Sequence, residues 1–145
     1  MPRINRKTRK NKKGMTSVQQ TVEQTIVIQF MEMLNTIKLF HWKTTSHPTH
    51  KATDELHGKI SGSIDTFVET MLGKHGGRVN LSGVKTIALN DYSSMDAFKE
   101  EIARYKAFLK GLNNMLNPVN DSDLLNIRDE MLGDLNQFTY LLTFH

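Results

Sequence analysis

"KHGGRVNLSGVKTIALNDY", residues 74–92, is the stretch on which the fold turns. The chain on either side of it reads as regular helix, and here the pattern stops. Gly76, Gly77 and Gly83 interrupt it, and its one apolar run, "VKTIAL", has room for no more than a short crossover helix. A link this long does what a tight turn cannot: it lets the chain travel back along a bundle before the next helix begins.

Working outward, segment B starts near Ser46 or Thr49, either of which suits an N-cap, with Pro48 tolerated in the first turn. Its apolar stripe is Ala52, Leu56, Ile60, Ile64, Phe67, Val68 and Met71, and Gly73 with the Gly76–Gly77 pair ends it. Segment A, residues 17–43, repeats Ile26, Phe30, Met33, Leu34, Ile37 and Phe40 at three- and four-residue steps. Beyond the long link, segment C opens at a Ser93-x-x-Asp96 cap pattern, carries Phe98, Ile102, Tyr105, Leu109, Leu112 and Leu116, and stops at Pro118. Segment D is capped by Asp121 or Ser122 and runs on Leu124, Ile127, Met131, Leu135, Phe138 and Leu142. Short A–B and C–D links around a long B–C link predict an all-α fold, a ferritin-like four-helix bundle over residues 17–145.

The net charge of +4 hides two unlike regions. Arg3, Arg6, Lys7, Arg9, Lys10, Lys12 and Lys13 crowd the first thirteen residues without an acid. The rest of the chain sets 12 Lys and Arg against all 15 acids, a net of −3. Residues 1–16 are therefore expected to be a separate, disordered basic tail. Such a tail suits sequence-independent, salt-dependent contact with DNA, although it also fits a solubility tail or a nuclear address. No run is long and apolar enough for a membrane span, and the N-terminus lacks the apolar core of a secretory signal. With no cysteine, any transition metal must be held by nitrogen and oxygen, and a cytoplasmic location is expected.

Beside the apolar stripe of B lies a polar row: His50, Asp54, His57, Ser61, Asp65 and Glu69. Asp54 and Asp65 are about 20° apart on the helix. The short A–B link brings His41 beside His50 and Asp54. From Asp54 to Asp65 the helix rises about 16 Å, too far for one ion to touch both. Two copies with antiparallel B helices would instead set Asp65 and Glu69 of one against His41, His50 and Asp54 of the other. Nitrogen with carboxylate oxygen suits iron, manganese or zinc. Segments C and D hold no Glu-x-x-His pair, so an intrachain di-iron site is not expected.

These positions resemble the Dps mini-ferritins, the DNA-binding proteins of starved cells. That family ends its first helix with His-Trp, opens its second with His-x-x-x-Asp, and carries Asp-x-x-x-Glu further along it. Here stand His41-Trp42, His50-KAT-Asp54 and Asp65-TFV-Glu69, and "LGKHGGR" is similar to the glycine turn that follows. The resemblance implies an intersubunit ferroxidase centre of His41, His50, Asp54, Asp65 and Glu69. Fe(II) would be oxidised there by peroxide or oxygen and stored as Fe(III). It also implies a homo-oligomer, a two-fold dimer or a dodecameric shell, with a basic tail on DNA and a nucleoid location. The interval from His41 to His50 is shorter than in the family, which leaves His47 as a substitute ligand. "KTRKNKK" further resembles tails of virus-encoded proteins, which would add the virion as a location. The alternative is a non-catalytic helical bundle that binds or condenses nucleic acid around a degenerate metal site.

Overall fold

The structure, a computed structural model, describes residues 17–144; the basic tail, with its seven cationic residues, and His145 lie outside the described residues. Four helices form: α1 (Ser17–Lys43), α2 (His47–His75), α3 (Met95–Met115) and α4 (Ser122–Leu141). The described residues contain no strand.

The helix ends follow local chemistry. Ser46 caps α2 from an extended backbone, its side chain accepting from the Thr49 N–H at 3.4 Å, and Pro48 occupies a first-turn position. At the other end Gly76 takes φ 71°, a conformation open to glycine, and its N–H bonds the Leu72 carbonyl at 2.8 Å. The α3 cap is Ser94 rather than Ser93; its hydroxyl accepts from Ala97 N at 3.1 Å. Asp121 precedes α4 but makes no side-chain bond to it. Instead its Oδ2 accepts from Asn117 N at 2.8 Å and closes the α3–α4 turn.

Every expected stripe faces one core. Ile26, Phe30, Met33, Ile60, Phe67, Phe98, Tyr105, Leu109, Met131 and Leu135 are fully buried together. Phe40 stacks on Phe98 with ring centroids 3.9 Å apart, and Phe30 meets Phe67 edge to face at 5.1 Å. Side-chain contacts fix the order. Lys59 reaches Gln137 and Lys74 reaches Asp123, so α2 and α4 are antiparallel. Phe40 on Phe98 and Gln29 on Arg104 make α1 and α3 antiparallel, and Lys106 on Thr139 does the same for α3 and α4. Around the bundle the helices run α1, α2, α4, α3, each antiparallel to its neighbours.

That order requires residues 76–94 to climb the length of α1. Asn80 O accepts from Gln24, Ala88 N donates to Glu32 Oε1 at 3.1 Å, and Asp91 pairs with Lys43 at 2.9 Å. The expected short helix at "VKTIAL" does not form. The Ala88 N–H that would bond a carbonyl one turn back is given to the Glu32 carboxylate. From Ala88 to Asp91, three residues answer a rise of about 16 Å between Glu32 and Lys43, which only extended chain aided by long side chains can cover. Among the described residues no helix is long and apolar enough to cross a membrane.

Candidate metal centre

Only three residues separate α1 from α2, so the last turn of one lies against the first turn of the other. There His41 and His50 are tied by a reciprocal exchange. Nδ1 of His41 lies 2.8 Å from the His50 carbonyl, and Nδ1 of His50 lies 3.0 Å from the His41 carbonyl. A carbonyl oxygen only accepts, so both Nδ1 atoms carry the proton. In its neutral form each ring then keeps its lone pair on Nε2. The rings are stacked, centroids 3.9 Å apart and 20° from parallel. Thr53, fully buried, adds its hydroxyl 3.1 Å from Nδ1 of His41 while donating to the Thr49 and His50 carbonyls.

This is the arrangement in which metal-binding imidazoles are usually held, with the far nitrogen anchored and the near one presented. His41 is 8% exposed, and its Nε2 lies 4.0 Å from Asp54 Oδ1. His50 and Asp54 open to solvent. His47, the first residue of α2, is exposed, and it is His50 that meets His41.

Among the described residues no three His, Asp or Glu side chains lie close enough to hold a metal ion. Asp65 and Glu69 are exposed further along α2, about 16 Å and 22 Å of helix rise beyond Asp54. They are on the outer face, away from α1 and α4.

His57 is half-buried, and burial first, then the Lys38 ammonium, pushes its pKa below the usual histidine value, while Asp54 opposes. Trp42, next to His41, is 69% exposed with Lys38 over its ring at 5.9 Å. It projects outward beside the pair instead of packing in the core.

Three polar features were not legible from residue type. Thr53 is one; its place on the α1-facing stripe, three residues after His50, was the available signal. His75 bonds the almost fully buried Glu23 at 2.6 Å, although Glu23 Oε2 finds no partner among the described residues. The third is Glu101, which bonds Arg104 and accepts from Tyr92 at 2.8 Å near the buried Tyr105–Thr36 hydroxyl pair.

Comparison with curated proteins finds no match, and neither does comparison with solved structures. A family match does exist; it starts at His41 itself, runs through α2, α3 and α4, and takes in both halves of the polar row. With residues 41–142 matched, more than two thirds of its length, the chain belongs to a family of unknown function, DUF5856.

Proposed function

We propose that this chain is a Dps-like protein of ferritin-like fold that binds Fe(II) at a site shared between two copies, oxidises it and stores Fe(III). The observation that carries this reading is the His41–His50 pair, stacked, with both Nδ1 protons given to backbone carbonyls and both Nε2 lone pairs left for a ligand. The carboxylates Asp65 and Glu69, exposed, without an ion-pair partner among the described residues and out of reach in the same chain, supply the second half from another copy. The long crossover and antiparallel ring of helices support the ferritin-like architecture.

In this reading the carboxylates neutralise and orient Fe(II), and the imidazoles fix its coordination while leaving a position for the oxidant. Each Fe(II) gives up one electron, so two are consumed per peroxide as its O–O bond breaks to water or hydroxide. Manganese or zinc fits the same donors. The tail cations Arg3, Arg6, Lys7, Arg9, Lys10, Lys12 and Lys13 would hold the assembly on DNA, with a salt dependence near the sixth power for about seven phosphates.

The test is an anaerobic Fe(II) titration, then peroxide, read as ferric absorbance. Uptake should saturate near two irons or fewer per chain and outpace the protein-free control. D65A/E69A should remove this and leave DNA binding intact, and deletion of residues 1–15 should do the opposite. A wild-type rate no faster than the control would overturn the reading in favour of a bundle that packs nucleic acid.

A further inference from the structure

The outer face of α2 carries a pattern that one copy does not use. Lys51, Gly58, Gly62 and Glu69 are all exposed, and intervals of seven, four and seven residues keep them on one stripe. The stripe is symmetric about residue 60, with opposite charges at its ends and glycines at its middle. Glycine weakens a helix interior relative to alanine. A Cβ added at Gly58 or Gly62 would meet nothing within 4 Å, so nothing among the described residues asks for glycine there. Alongside them lies an open groove of about 460 Å³, walled by Gly58, Gly62 and Thr66 on α2 and by Ile127 and Glu130 on α4.

We propose that this face is a two-fold contact between copies of this chain, with the α2 helices crossing antiparallel at Gly58 and Gly62, and that the contact closes only with a divalent cation bound. The inference rests on the shared-site reading and adds where the helices touch and what makes them do so. In a pair centred on residue 60, Lys51 lies opposite Glu69 of the second copy, and Gly58 opposite Gly62 of the second copy. Without side chains at the crossing, the backbones can approach at least as closely as ordinary packed helices.

The same register sets Asp54 beside Asp65 of the second copy. The exposed face carries Asp54, Glu55, Asp65 and Glu69, and Lys59 offsets Glu55 within the chain at 3.3 Å. Lys51 offsets one oxygen of Glu69 and leaves the other for the shared cation, and at each end of the crossing two like-charged aspartates meet with no cation between them among the described residues. Shape therefore favours pairing while charge opposes it. Beside that gap His41, 8% exposed, presents an Nε2 that makes no hydrogen bond, the atom that turns a repulsive carboxylate pair into a cation site. A cation that binds only the paired form stabilises it by mass action.

The experiment is sedimentation of the full chain in EDTA and in Mn2+, a probe that needs no oxidation step. The wild type should be monomeric in EDTA and pair in Mn2+, a gain of roughly a hundredfold in apparent association. G58L/G62L should stay monomeric in Mn2+ with its helical circular dichroism intact. K51E, a surface change that does not threaten folding, should weaken pairing by roughly tenfold. D54N/D65N should pair without metal. Equal association in EDTA and Mn2+ overturns the proposal, as does Mn2+-driven pairing that K51E leaves unchanged. Mn2+-dependent pairing without Fe(II) oxidation keeps this inference and removes the ferroxidase reading. Fe(II) oxidation by a chain that is already paired in EDTA does the reverse.

Discussion

Each ring of the His41–His50 pair is anchored to the other residue's main chain, so the imidazoles are positioned by the helix junction and by Thr53 rather than by solvent. Thr53→Val keeps the shape of this fully buried side chain and removes the hydroxyl. Mn2+ affinity measured calorimetrically should fall by about tenfold, the usual scale for losing a group that orients a ligand. Arg128, 6% exposed, shows the same principle in a structural setting. It donates to the Leu109 carbonyl and to Asn113 Oδ1, both at 2.9 Å, fastening α4 to α3. Arg128→Met fills similar space but removes both charge-assisted bonds to α3, and urea unfolding should show a loss of about 2 kcal/mol.

At the scale of the helix, sequence and structure agree where a stripe meets a strong stop. The periodic residues of all four segments face the core, and Ser46 and Gly76 bound α2 as their conformational preferences require. The α3 start was less legible because Ser93 and Ser94 offer the same hydroxyl; only the backbone path selects between them. "VKTIAL" reads as helix by composition, yet a distant carboxylate, Glu32, claims the amide such a helix needs, and no local pattern records that. His41 and His50 were legible as neighbours because a short link forces antiparallel contact. The Glu23–His75 pair was not, since it joins helix ends 52 residues apart. The glycines of α2 give a test in the unpaired chain. With open space around it, Gly62→Ala should stabilise the monomer in EDTA by about 1 kcal/mol, read as a higher thermal midpoint.

Across the whole molecule, pH acts through the cluster where the crossover meets α3. Burial opposes the charge on Glu101, but hydrogen bonds from Arg104 and Tyr92 outweigh it and hold the carboxyl below its usual range. That stabilisation is complete above the unfolded carboxylate value and is lost as pH falls through the lower folded one. Tyr92 behaves oppositely. Burial, and then its bond to Glu101, push the phenol up to about 12. Its contribution is full below about 10 and disappears as pH climbs from there towards 12. Tyr92→Phe should flatten that alkaline limb in melts taken between about pH 9 and 12, and should lower the melting temperature near neutrality, where the lost contribution is full.

The crossover also divides the molecule into two hairpins that need no covalent join. α1 with α2 forms one, α3 with α4 the other, and they meet chiefly through α2 and α4, whereas α1 and α3 touch least. The segment between is held to α1 by side chains at Gln24, Glu32 and Lys43, with its own amides largely free of regular pairing. A protease cut near Ser82–Gly83 should therefore nick the chain without releasing either half, the two pieces eluting together until denaturant parts them. Made as separate genes, the hairpins form a natural split protein whose reassembly restores the bundle. The molecule is, in effect, a dimer of hairpins that a single strap makes into one chain.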